Sequence, residues 1–197
     1  MVQVKKPEVR EAILSGAFKL FSQHGYASTS LAQIAAEAGV TTSNIYRYYG
    51  SKLEVLYAVY RPWIMAHLDR LEARLKRVRS PRTRLRLILL AMWRDIPEAD
   101  NGFSNNLMQA ISMDTAATDQ GYTRNALFEL EDRFTSLMRA TLPEQRHHLL
   151  RRNLLVHLMF MAMDGYVLNV KFNDRTRPVT DVVDLMYSLL LGDERDS

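Results

Sequence analysis

Apolar positions recur every three or four residues along this chain, and glycine, proline and short hydroxyl residues punctuate them. Val9, Ile13, Leu14, Ala17, Phe18, Leu20 and Phe21 fall at helical spacing and end at His24-Gly25, which predicts a first helix. Ser30-Leu31-Ala32-Gln33 has the form of a capping box, with a hydroxyl to accept the Gln33 N–H and a side chain to reach back, and it opens a short helix stopped at Gly39. Thr41 caps the next helix, from Thr42 to about Tyr49, which Gly50 closes. Ser51-Lys52-Leu53-Glu54 is a second capping box ahead of a long pattern reaching about Val78. Pro62 sits inside that pattern and predicts a kink or a break near Tyr60.

Ser80-Pro81 opens a further helix to about Ile96, where Pro97 should stop it. Asn101-Gly102 and Gln120-Gly121 bracket one around 103–116, and another runs from about Tyr122 to Thr141. Pro143 opens a helix from about Glu144 to Phe172, and Pro178 opens the last, to Leu191. No stretch alternates with period two for long enough to read as a strand, so the expected fold is all-α with about nine helices.

The last two helices are apolar on more than one face. Leu149, Leu150, Leu154, Leu155, Leu158, Met159, Phe160, Met161, Met163, Val167, Leu168 and Val170 go nearly all the way round the first of them. Val179, Val182, Val183, Leu185, Met186, Leu189 and Leu190 do much the same on the second. A helix apolar all round is buried on every side. Two arrangements satisfy that: a thick monomer core, or a two-fold homodimer through the helices at about 144–172 and 178–191, joined as a four-helix bundle.

Composition narrows the chemistry. The 197 residues include no cysteine, which removes disulfide scaffolds, zinc fingers, thiol nucleophiles and iron–sulfur sites, and nothing contradicts a reducing cytoplasm. The net charge of +4 is uneven: +2 over residues 1–60, +8 over 61–94 and −6 over 95–197. A basic front on an acidic back points to an anionic partner, with nucleic acid first, and an anionic ligand or a solvated helix face also open. The longest apolar stretch, Leu154–Met163, is ten residues, against about 20 for a membrane span. The Lys5-Lys6 arm has no signal-length apolar run behind it, so a soluble cytoplasmic protein without membrane partners is expected.

Residues 31–49 have the layout of a helix-turn-helix. That motif needs a small residue where two helices cross, a glycine at the turn and an apolar anchor on the second helix, which Ala35, Gly39 and Ile45 supply above Leu31, Ile34 and Ala38. Thr42, Ser43, Asn44, Arg47 and Tyr48 then form the exposed side of the second helix. Hydroxyls at a helix N-terminus suit phosphates and base edges, because free N–H groups and the positive dipole end are there too. Arg47 suits guanine O6 and N7, or a phosphate.

A wider pattern carries a specific resemblance. It runs Arg10-x-x-Ile13-Leu14-x-x-Ala17-x-x-Leu20-Phe21-x-x-x-Gly25-Tyr26, then Thr29-Ser30-Leu31-x-x-Ile34-Ala35-x-x-Ala38-Gly39-Val40-Thr41, then Ile45-Tyr46-x-Tyr48-Tyr49-x-Ser51-Lys52-x-x-Leu56. Over about residues 8–57 this resembles the N-terminal domain of TetR-type transcriptional regulators. The resemblance implies a DNA-binding domain at 1–52 and a ligand-binding and dimerisation body at 53–197. It implies a homodimer on palindromic double-stranded operator DNA, most often a repressor released by a small-molecule inducer. Thr42, Ser43, Tyr46 and Arg47 would form the recognition surface, Tyr48 would lie beside the sugar-phosphate backbone, and Lys52 would bind a phosphate with the amides of its helix. Thr29 and Ser30 would lie near phosphate at the start of the second helix. Two positions depart from the family pattern: a Phe is commoner where Tyr49 stands, and Gly or Pro where Ser43 stands. Both Tyr46 and Tyr49 could be core rings tying the third helix to the fourth; Tyr49 is read that way, and Tyr46 as a rim residue with its hydroxyl toward phosphate.

Beyond residue 60 the resemblance fades. Polar residues inside apolar helices, Asn106, Gln109 and Asp164, are candidate ligand contacts, with Trp63, Trp93, Phe103 and Phe160 as walls; ordinary core or dimer packing is the plainer reading of each. The run Arg70–Arg86 has eight basic residues opposed only by Glu72, and reads as a solvated face, a rim for an anionic inducer, or a field aiding the DNA contact. Pro62 suggests a pivot between ligand body and DNA head. No GxGxxG, P-loop, HExxH or His-x-x-x-His is present, so no catalytic residue, metal site or cofactor is assigned. A small helical enzyme or a metabolite-binding protein without specific DNA recognition is the rival reading.

Overall fold

Local signals set the first helices. In the computed structural model, which describes residues 6–99, 102–113, 122–172 and 178–191, Pro7 fills the first turn of α1 (Pro7–His24), where its missing N–H costs nothing. Ser30 caps α2 (Leu31–Glu37) with both halves of the expected box in place, and Thr41 caps α3 (Thr42–Tyr48) by accepting the Asn44 N–H. Gly25 and Gly39 take φ of 76° and 65° after α1 and α2, a left-handed conformation in which a side chain is strained. The structure is all-α: the remaining elements are α4 (Lys52–Lys76), α5 (Pro81–Leu90), α6 (Ile96–Glu98), α7 (Phe103–Met113), α8 (Tyr122–Arg139), α9 (Leu154–Phe172) and α10 (Val179–Leu191). Among the described residues there is no strand.

The chain divides into two units by backbone proximity. One holds Met1–Met65 with Asp100–Leu127, and the other holds Ala66–Ala99 with Phe128–Ser197, so the division passes through α4 and α8. In the first unit Ile13, Ala17 and Phe21 of α1, Ile34 and Ala35 of α2, and Ile45 of α3 are buried. Gly16 lets α1 approach α2 closely, since a Cβ there would lie 3.2 Å from Glu37 Cγ. In the second unit α10 packs on α5, and Leu85, Ile88, Leu89, Phe134, Met138, Leu150, Val156, Met159, Val183 and Leu190 are buried. Within the basic run Arg86 pairs with Asp184 of α10, while Glu72, the acid inside the run, pairs with Arg133 of α8, which also meets Asp69 at 2.9 Å.

The structure bears on four expectations. Helix α4 runs through Pro62 without the break allowed near Tyr60, although a proline has no N–H to donate to the Ala58 carbonyl. Pro97 does not end its helix at Ile96. The turn Ala91–Asp95 widens to π spacing, with Ile96 N–H donating to the Ala91 carbonyl, and this makes room for the proline ring before α6 continues to Glu98. The single helix expected over 144–172 is a 3₁₀ stretch, Glu144–Asn153, followed by α9. Arg152 and Asn153 break it at φ of 53° and 57°, and the Asn153 side chain donates to Asp132 Oδ1 at 2.6 Å. Last, α9 and α10 are not covered on every side within this chain. Leu154, Leu158 and Met161 on α9 and Leu185 and Leu189 on α10 remain 58–67% exposed, each set at helical spacing.

Lys5, Asn101, the end of the helix expected to reach 116, and the Gln120-Gly121 turn lie outside the described residues. So do the side chains of Val167, Leu168 and Val170.

Candidate nucleic-acid interface

Helix α3 is short, and its orientation comes from what it buries. Ile45 is fully buried against the first-unit core, and Tyr49 just beyond the helix is 5% exposed. With that side anchored, Ser43, Tyr46 and Arg47 face outward; Tyr46 keeps 59% of its surface open, and Thr42 is half-buried at the first turn. A phenol ring left this open beside a guanidinium and two hydroxyls is a surface suited to hydrogen bonding and apolar contact with base edges and phosphates. The recognition residues expected from the sequence are thus on one accessible face, apart from the half-buried Thr42.

The flanking residues are held more tightly than the sequence suggested. The Tyr48 hydroxyl accepts from the Lys6 N–H at 2.8 Å and donates to the Lys6 carbonyl at 3.1 Å, fixing the start of α1 against the end of α3. Ser30 is exposed, with its hydroxyl engaged in the cap of α2. Thr29 is only 2% exposed and donates its hydroxyl to the Gly25 carbonyl at 2.8 Å, so its side chain braces the α1–α2 turn from inside. Lys52 is half-buried. Its Nζ donates to the carbonyls of Tyr26 and Thr29, both at 2.8 Å, and lies 4.0 Å from the centre of the Tyr26 ring. Its positive charge therefore sits at the first turn of α4 with its donors directed at the turn. Glu54 completes that turn's cap by accepting the Gly50 N–H at 2.6 Å, one residue earlier than a capping box requires.

The seven candidate ligand residues separate between the two units. In the first, Trp63 and Phe103 join Tyr57 and Tyr60 in an aromatic cluster, with the Phe103 ring 4.8 Å from Tyr60 and 6.5 Å from both Trp63 and Tyr57. Asn106 is 2% exposed and fully engaged: its Oδ1 accepts the Tyr26 N–H at 2.7 Å, and its Nδ2 donates to the Tyr60 hydroxyl at 3.2 Å and the Phe21 carbonyl at 3.4 Å. Gln109 Oε1 accepts the Ala27 N–H at 2.9 Å. In the second unit Trp93 is buried and donates its indole N–H to the Met159 carbonyl at 3.1 Å, and Phe160 meets Phe134 edge-on at 5.6 Å. Asp164 is exposed on α9, where desolvation by its apolar neighbours raises its carboxyl above the ordinary range. Tyr26 stands in the family pattern, but neither it nor Tyr60 was marked by the sequence as a partner of Asn106; these contacts join positions 80 and 46 residues apart. Among the described residues no group of three or more acidic, His or Cys side chains is placed to hold a metal ion, and no helix is long and apolar enough to cross a membrane.

Residues 13–59 match the family model for bacterial regulatory proteins of the tetR family. The HTH-type transcriptional regulator HbdR of Aromatoleum sp. (strain CIB) is 50% identical over 50 residues, a match that covers 25% of this chain and 22% of that protein. The matched segment is therefore under a quarter of that relative's length. The solved structure of the fatty acid degradation regulator FadR from Bacillus halodurans superposes over 98% of this chain and 99% of its own, with a TM-score of 0.62 at 20% identity. The transcriptional regulator FadR from Bacillus subtilis, solved in complex with stearoyl-CoA, does so over 93% and 99%, with a TM-score of 0.58 at 17% identity. At these identities the likeness concerns the fold, and the proteins concerned are regulators rather than enzymes. The matched stretch, residues 13–59, takes in most of α1, all of α2 and α3 and the start of α4, so the likeness to the tetR family of bacterial regulatory proteins rests on the N-terminal helices.

Proposed function

We propose that this chain is a cytoplasmic, sequence-specific DNA-binding transcriptional regulator that acts as a homodimer. In its simplest form it is a repressor, released from a palindromic operator when a small molecule binds the body. The observation that carries this reading is the outward face of α3, where Ser43, Tyr46 and Arg47 are exposed on a helix anchored by the buried Ile45. Residues 1–52 serve as the DNA-binding domain and 53–197 as the ligand-binding and dimerisation domain. Thr42 and Tyr48 border the recognition face, Ser30 leads α2 toward a phosphate with Thr29 beneath it, and Lys52 adds charge at the start of α4.

The exposed leucines of α9 and α10 support dimerisation, because a second copy would remove that apolar surface from water. Trp63, Trp93, Phe103, Phe160 and Asp164 stay the candidate ligand contacts, with Asn106 and Gln109 at the edge of the aromatic cluster. Stearoyl-CoA, present in the B. subtilis relative, is the first compound to test as a releasing ligand.

The test is selection of duplexes from a randomised pool by the purified chain. Enrichment of one palindromic sequence, bound with an affinity that falls steeply with salt, is expected. Binding without preference over random duplex overturns the reading.

A further inference from the structure

The turn between α1 and α2 is gripped from two sides. On one side α7 supplies two amide side chains: Asn106 accepts the Tyr26 N–H at 2.7 Å and Gln109 accepts the Ala27 N–H at 2.9 Å. On the other, Lys52 at the start of α4 donates to the Tyr26 and Thr29 carbonyls. The Tyr26 peptide groups therefore tie α7 to the first turn of α4. The Tyr26 ring adds to this, stacked on Phe21 with centroids 5.7 Å apart and lying under the Lys52 ammonium. Gly25 is matched to the arrangement twice over. Its φ is +76°, and a Cβ on it would meet Gln109 Oε1 at 3.0 Å. Thr29, which ends the turn, immediately precedes Ser30, the cap of α2.

Asn106 and Gln109 differ in what they do for stability. Asn106 is buried and satisfies three partners, so its loss leaves buried polar groups unpaired. Gln109 is only half-buried and acts on the exposed Ala27, a place where a hydrogen bond adds little to folding but fixes a backbone position.

We propose that Asn106 and Gln109 are positioning residues for DNA binding: α7 sets the conformation of the α1–α2 turn, and the turn sets Lys52 and the start of α2. This rests on the assignment of residues 1–52 to DNA. Whatever shifts α7 then alters DNA affinity through two side-chain amides. The family's helix-turn-helix pattern contains neither residue.

The experiment uses the full chain and the duplex it enriches from a randomised pool. Anisotropy titration compares the parent with Gln109→Leu, Gln109→Glu, Lys52→Met and the Gln109→Leu/Lys52→Met double variant, and thermal melting follows each. Gln109→Leu should weaken binding about threefold to tenfold with little change in melting temperature, the size of one backbone hydrogen bond. Gln109→Glu keeps the acceptor and should bind within about twofold of the parent. The double variant should lose less than the two single losses combined, because both side chains act through one turn. Exchange of the Ala27 amide should quicken in Gln109→Leu alone of the two Gln109 variants. Parent-like binding by Gln109→Leu, equal losses in Leu and Glu variants, or strict additivity with Lys52→Met would each overturn the proposal while leaving DNA binding intact. Failure of the parent to enrich any duplex overturns both.

Discussion

Lys52 and Tyr26 meet twice: the Lys52 ammonium donates to the Tyr26 carbonyl at 2.8 Å and lies 4.0 Å from the centre of the Tyr26 ring. A lysine expected at a phosphate is thus also the clasp of a turn 26 residues away. Both roles suit one ammonium, which has three donors and a diffuse attraction for anions beyond them. Lys52→Met keeps the stem and removes the charge. It should destabilise the fold by about 1.5–3 kcal/mol in denaturant titrations, the range for hydrogen bonds to a charged group, and weaken DNA binding as well. An unchanged midpoint would show that the two carbonyls are equally content with water.

On α3 the buried and exposed sides should separate cleanly. Tyr46→Ala and Arg47→Ala remove exposed groups, so melting should move by no more than about 2 °C. Affinity for the selected duplex should fall by about 1–3 kcal/mol for Arg47→Ala, with relaxed preference at one base pair if its contact is a guanine and uniform weakening if it is a phosphate. Ile45→Ala, in contrast, should cost about 2–5 kcal/mol of stability, because it empties a fully buried site. Anisotropy titration and melting on the same preparations check all three.

The apolar faces of α9 and α10 make a prediction about assembly. Leu158 and Leu185 are 59% and 60% exposed in the single chain. If a second copy covers them, a paired Leu158→Glu and Leu185→Glu variant should weaken association by about a hundredfold or more, since each change counts twice across a two-fold axis. Sedimentation at micromolar concentration should show parent dimers and variant monomers. Monomers for both would remove the homodimer.

Asp164 gives a pH dependence with a defined sign. Desolvation raises its folded-state carboxyl above the ordinary 3.8, so the folded state holds its proton more firmly than the unfolded state does. That contribution is fully present below about pH 4 and is lost as pH rises through the folded value, leaving a charged group in an unfavourable setting. Asp164→Asn should therefore melt slightly higher than the parent at pH 7.5, by less than about 3 °C because the group is partly exposed, and the gap should close toward pH 4. A gap that widens on acidification would mean that the carboxylate is stabilised by a partner instead.

Local structure was legible where the deciding contact lies within a turn of helix. The caps at Ser30, Thr41 and Ser80, the glycines after α1 and α2, and the buried stripe Ile13, Ala17 and Phe21 all follow from neighbours three or four residues away. Pro97, and the break allowed at Pro62, misled for a matching reason. A proline removes one hydrogen bond locally, and whether the helix ends there depends on packing that spacing does not show. The break at Arg152 and Asn153 was hidden likewise, because the apolar pattern continues across it.

By itself, then, the sequence determined the all-α class and the helix-turn-helix, with Ser43 and Arg47 on the outer side of its second helix, since these depend on short-range periodicity and capping. Only the tertiary structure decided what the polar residues do once buried. Asn106 and Gln109, by sequence candidate ligand contacts or ordinary packing, and Lys52, by sequence a candidate phosphate contact, converge on the peptide groups of Tyr26, Ala27 and Thr29. A buried polar group takes the nearest unpaired backbone donor or acceptor, and which one is nearest is set by how distant segments fold together.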